Sequence, residues 1–117
     1  MIKKIVCVAS IVLSTMTCSV YSASCPRAQP SDSPGFCASF KAVAQCHCTS
    51  SGLPVGMCND MKLLYARMIS IFGSVQRACD FQRDTTSADC VDSWHCYLVG
   101  GVNSNSGLCS STGASCS

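Results

Sequence analysis

Apolar residues recur in steps of four and three from Met57 through Met61, Leu64, Met68, Phe72 and Val75 to Cys79. That is the period of one face of an α-helix. Leu63, Ile69 and Ile71 add apolar surface off the stripe, so the pattern predicts one central helix over 57–79, gripped on more than one side. Its charges are confined to Asp60, Lys62, Arg67 and Arg77, and Asp60 near the start and Arg77 near the end suit a helix dipole. Cys58 and Cys79 stand at the two ends. At 1.5 Å rise per residue they lie roughly 30 Å apart, too far to bond each other, so each must fasten the helix to another segment.

Two shorter patterns flank it. Ser33-Pro34 reads as an N-cap followed by proline at the first helical position, and Phe36, Phe40, Val43, Ala44 and His47 share one side of a helix running to about Cys48. On that helix Cys37 and Cys48 fall on nearly the same edge while Cys46 points to the back, so Cys46-His47-Cys48 sends its two sulfurs to different neighbours. The turn Thr49-Ser50-Ser51-Gly52 is short enough to imply an antiparallel helix pair, which makes Cys46 or Cys48 to Cys58 the expected bridge. After a polar segment at 80–85, Thr86 or Ser87 can cap a third helix with Cys90, Val91, Trp94 and Leu98 on one side, stopped by Gly100-Gly101.

The ends of the pattern are irregular. Cys25, Pro26 and Pro30 predict an extended arm before the first helix. From Val102 to Ser117 the chain is mostly Ser, Gly and Asn, the composition of a disordered tail. Cys109 and Cys116 predict instead that it is laid back over the helices and bolted down. The fold expected is therefore all-α: a small disulfide-rich three-helix domain with a stapled irregular C-terminal tail, a single domain over 24–117.

Composition enters through the first residues. Lys3 and Lys4, an uncharged apolar run from Ile5 to Thr17, and small residues at Ser22 and Ala23 read as a signal peptide over 1–23. The run is shorter than the ~20 residues that span a bilayer, so no transmembrane segment is expected once it is removed. Thr15-Met16-Thr17 before Cys18 lacks the aliphatic residue of a lipobox. Ten cysteines remain, namely Cys25, Cys37, Cys46, Cys48, Cys58, Cys79, Cys90, Cys96, Cys109 and Cys116. That density and even number mark a disulfide framework, formed in an oxidising compartment. The expected location is outside the cell, or the periplasm if the source is bacterial. Beyond the leader, six Lys and Arg face six Asp. The overall charge supports neither nucleic-acid binding nor electrostatic attachment to acidic membranes.

Candidate chemistry is sparse. Cys46-His47-Cys48 offers zinc-ligand types, but its spacing is too close and export oxidises thiols first, so neither metal nor cofactor is expected. His95 stands three residues after Asp92, where a carboxylate could orient an imidazole for acid/base work. No Gly-x-Ser-x-Gly and no paired-carboxylate motif accompanies it. Trp94 and Tyr97 carry large apolar area with a polar tip beside a glycine-rich loop. With Asn103 and Asn105 they form the expected contact surface, Tyr97 being placed on the exposed side of its helix.

The function expected from these features is a secreted, disulfide-stabilised binding module of effector, toxin or inhibitor type that recognises a protein or lipid-like ligand. One alternative is a small secreted hydrolase using His95 and Asp92. Another is a carrier of apolar ligands, with a cavity of a few hundred Å³ lined by Met61, Leu64, Met68 and Phe72.

Overall fold

Asp60 and Gly73 interrupt the apolar stripe that the sequence runs without a break. The structure, a computed structural model, describes residues 25–117; the expected signal peptide lies outside them. Five helices occur among the described residues: α1 (Phe36–Ser50), α2 (Val55–Cys58), α3 (Met61–Phe72), α4 (Val75–Phe81) and α5 (Ser87–Leu98). A single 3-10 turn follows at Cys109–Ser111, and the described residues contain no strand. The domain is small, disulfide-rich and all-α, but the expected central helix over 57–79 is three helices.

Local chemistry explains both breaks. Asp60 turns extended (φ −106°, ψ 107°), and its carboxylate accepts from the amides of Lys62 (3.0 Å) and Leu63 (3.2 Å). It is thus an N-cap that starts α3 afresh. Gly73 adopts φ 92°, the left-handed conformation that glycine takes without steric cost. Ser74 then caps α4, its hydroxyl accepting from Arg77 N–H at 3.1 Å. Arg77 therefore sits in the first turn of α4, and the dipole role expected for it near a helix C-terminus does not hold. Apolar periodicity continues across these points because all three pieces still turn an apolar face inward. The capping side chains decide where the backbone restarts.

Other boundaries follow the sequence closely. Thr86 caps α5, accepting from Asp89 N–H at 3.1 Å. Helix α1 begins two residues later than Ser33-Pro34 suggests, because 31–35 forms a turn in which Ser33 Oγ accepts from Gly35 N–H and donates to Gln29. The extended arm runs back along α1. It is tied by Cys25–Cys46 at one end, by Gln29 N–H to Ser39 Oγ (3.0 Å) midway, and by Ser110 N–H to the Ser31 carbonyl (2.8 Å) at the other. It is a strap laid antiparallel to the helix.

The core centres on Phe40. Its ring lies 5.4 Å from Phe36, 4.9 Å edge-on from Trp94 and 5.6 Å from Tyr97. Tyr65 of α3 reaches Trp94 at 5.2 Å. Such pairs add ~0.5–1.5 kcal/mol each beyond the area they bury, and with Met61 and Leu64 they join α1, α3 and α5.

All ten described cysteines are paired: Cys25–Cys46, Cys37–Cys116, Cys48–Cys58, Cys79–Cys90 and Cys96–Cys109. The Cys48–Cys58 bridge is one of the two expected for that turn, and Cys46 and Cys48 do serve different neighbours. Five disulfides suit an oxidising environment. The tail is bolted down as expected. Cys116 N–H bonds the Tyr97 carbonyl (2.9 Å), Gly101 N–H bonds Gly113 (2.8 Å) and Cys109 N–H bonds Gly101 (2.9 Å). At Gly100, with φ 83°, a Cβ would stand 2.6 Å from Ser115 N and 2.8 Å from Gly113 O. Only glycine lets the tail close there. No helix among the described residues is long and apolar enough to cross a membrane.

Candidate functional site

The strap, α1, the α3–α4 pair and α5 line a cavity of about 780 Å³ that is open to solvent. Helix α1 turns Phe40, Val43, Ala44 and His47 toward it, a spacing of three, one and three that places all four on one helix face. Helix α3 supplies Leu64, Met68, Ile71 and Phe72 by the same rule, and α4 adds Ala78 and Phe81. The rings of Phe72 and Phe81 meet at 5.3 Å. The strap adds Arg27, Gln29 and Asp32 beside Ala28, and α5 adds Asp89 and Ser93 beside Trp94. The lining is mainly apolar, with polar groups contributed by the strap, α5 and the 103–105 loop.

Two of the cavity's lining side chains pair. His47 Nε2 lies 3.2 Å from Asp84 Oδ2, joining α1 to the connection between α4 and α5. Both side chains are partly solvated, so the pair contributes at most ~1 kcal/mol. Its effect is to hold that connection against α1. Cys46 and Cys48, on either side of His47, are both in disulfides, which removes their thiolates from metal chemistry. His47 is the half-buried helix residue that its neighbours suggest.

The expected contact surface is not assembled. Tyr97 is only 6 % exposed, as is Trp94. The outer position expected for Tyr97 on α5 fails because residues three apart lie only about 60° apart around a helix. Its ring joins Trp94 on Phe40. Burial pushes the Tyr97 phenol pKa up from its ordinary value. Asn103 is half-buried and organises its own loop: Oδ1 accepts from Asn105 N–H and Gly107 N–H, each at 2.9 Å, and Nδ2 donates to Ser31 Oγ at 3.0 Å. Asn105 alone of the four is exposed, and with Asn103 it lines part of the cavity.

The acid/base pair is likewise not formed. Asp92 commits its carboxylate to Ser104, accepting from the backbone N–H at 3.1 Å and from the hydroxyl at 2.6 Å. His95 stands exposed. The histidine–carboxylate contact among the described residues is His47–Asp84. Asp92 thus holds the 103–107 loop against α5, a use its position in the sequence does not reveal.

No protein-family model, curated protein or solved structure matches this chain. Its site must be read from its own geometry.

Three of the four residues expected to line an apolar cavity do so, namely Leu64, Met68 and Phe72, while Met61 is buried in the core beside it. Val43 and Ile71 carried a signal in the sequence, one on the apolar side of α1 and the other off the central stripe. Phe81 carried none. It is a single apolar residue within the polar segment 80–85, and one residue cannot establish a period. Nearby, Asp80 accepts from Ser87 Oγ (2.7 Å) and Gln76 Nε2 (2.8 Å). The Ser87 bond, then the Gln76 bond, holds its pKa below the usual carboxylate value.

Proposed function

We propose that this protein is a secreted binding module that takes an elongated, lipid-like apolar ligand, such as a single acyl chain, between α1 and the α3–α4 pair. The observation that carries this reading is the cavity. Its volume of about 780 Å³ falls within the ~300–1,000 Å³ of small-molecule sites. A protein ligand fits less well. A ten-residue helix about 15 Å long and 10 Å across occupies roughly 1,200 Å³ and would lie mostly outside. The mainly apolar lining with polar groups from the strap suits an amphiphile, whose chain would cover Val43, Leu64 and Met68 while its head meets Arg27 or Gln29.

The disulfide framework agrees with this role. Five bridges hold a small domain whose inner helix faces are partly given over to a ligand, which a core of this size could not spare unaided. The site of action is outside the cell, where thiols oxidise.

Displacement of a fluorescent fatty-acid probe tests the reading. Saturable, stoichiometric uptake is expected, and Val43→Asn should weaken it at least about fivefold by setting an amide against the chain. Absence of saturable uptake, or an unchanged affinity in Val43→Asn, refutes it.

A further inference from the structure

The charges that cancel over the chain as a whole are separated along it. Residues 62–83 hold Lys62, Arg67, Arg77 and Arg83 against the single carboxylate of Asp80, a local balance of +3. The rest of the described chain carries Arg27 and Lys41 against Asp32, Asp60, Asp84, Asp89 and Asp92, a balance of −3. Asp80 is already occupied by Ser87 and Gln76. None of the four basic side chains of 62–83 forms a salt bridge with another described residue.

This basic segment covers the α3–α4 hairpin and the two residues after it, and along it apolar side chains stand in water. Phe81 is 72 % exposed and Ile71 54 % exposed, with the Phe72 ring packed against Phe81. Arg67 borders the same cavity mouth as Ile71 and Phe81. Arg77 lies over the Gly73 turn, its guanidinium within 3.9 Å of where a Cβ would be. Arg83 follows Phe81 by two residues. Arg67 and Ile71 on α3, and Arg77 and Phe81 on α4, each stand four residues apart on one helix face. Such pairing of cations with exposed apolar side chains matches an anionic bilayer, which takes apolar groups below its headgroups and attracts cations at their level. A nucleic acid would satisfy the arginines and leave Ile71 and Phe81 in water.

We infer that the α3–α4 hairpin is a membrane-docking surface, seating Ile71, Phe72 and Phe81 in the interface of an anionic lipid bilayer with Arg67, Arg77 and Arg83 on its phosphates. Docking does not require the cavity to be filled, although the hairpin borders its mouth.

Sedimentation of the oxidised protein with phosphatidylcholine vesicles, with and without 30 % phosphatidylglycerol, tests this inference. Binding is expected to the anionic vesicles only, and to weaken as salt rises and screens the charges. Arg77→Gln and Arg83→Gln should each lower the affinity about fivefold, and Phe81→Ser should lower it more. Lys41→Gln, on α1, should leave it unchanged. Thermal unfolding of each variant establishes that the fold is retained. Failure to bind anionic vesicles, equal binding to neutral ones, or wild-type binding by the arginine variants overturns the inference. The acyl-ligand reading fails separately: Val43→Asn should still bind vesicles, and Arg77→Gln and Arg83→Gln, outside the cavity, should still take up the fatty-acid probe.

Discussion

The tail at 99–117 has a single 3-10 turn and few apolar side chains, yet two disulfides, a set of backbone hydrogen bonds and a glycine-only contact fix its course. The α3–α4 hairpin is almost entirely helical, yet no disulfide reaches α3, and Ile71 and Phe81 face solvent. In the tail, cross-links and backbone bonds do what a hydrophobic face does elsewhere. In the hairpin, Met61, Leu64, Tyr65 and Met68 anchor one face of α3 and Ala78 and Cys79 one face of α4, while Ile71 and Phe81 are left off the core. Where covalent ties carry the stability of a small domain, its apolar residues are released for contact with something else.

Four experiments break or sharpen this contrast. The largest effect is expected from Cys37→Ser with Cys116→Ser. That bridge spans 79 residues, and chain entropy assigns such a loop about 4–5 kcal/mol. The Cys96–Cys109 bridge spans 13 residues and is expected to contribute about 3 kcal/mol. Urea unfolding of the two double variants measures the difference, and equal losses would show that strain or residual structure outweighs loop length.

Next in size is Tyr97→Ala, expected to cost about 3 kcal/mol by leaving a cavity against Phe40, read as a drop in Tm with vesicle and probe binding retained. Tyr97→Phe isolates the hydroxyl. A phenol whose folded pKa is raised contributes stability that is present below its ordinary value and is lost as pH rises through the raised value. The phenylalanine variant should therefore unfold less steeply at alkaline pH.

Asn103→Ala should cost about 1–2 kcal/mol, by removing one acceptor of two loop amides and the donor to Ser31. Faster hydrogen exchange at Asn105 and Gly107 would locate the loss. The smallest effect is at Asp80, which is fully exposed. Its folded pKa is depressed, so its contribution is present above the ordinary carboxylate value and is lost as pH falls below about 4. Asp80→Asn should slightly flatten the acid limb of a stability–pH curve; a steeper limb would contradict the assignment.

Much of the fold was legible in the sequence because it rests on local rules. The α1 face from Phe36 to His47, a cap at Thr86 or Ser87, a link from Cys46 or Cys48 to Cys58 and the bolted tail each follow from period, capping or spacing. The split of the central stretch was written there too, in Asp60 and in Gly73-Ser74. Apolar periodicity hid it, since period reports which face is buried and not whether the backbone is continuous. The other four pairings were not legible, because spacing alone does not say which distant segments meet. The site was read least well. Tyr97 is buried because three residues along a helix bring its ring round to the Trp94 side. The roles of Asp92 and Asn103 depend on a loop contact that only the tertiary structure supplies. The cavity was expected along the central stretch, but one segment that lines it, the strap over α1, has no periodic signature.

The bridge between Cys37 and Cys116 has a bearing on how this molecule withstands damage. A single cut of the backbone anywhere between those two residues leaves the fragments covalently joined. The exposed connections at 51–54 and 82–86 fall within that span, and a cut at 82–86 is also straddled by Cys79–Cys90. A protease that nicks these connections would turn one chain into two without parting them. The lesion would stay silent until a reductant arrived.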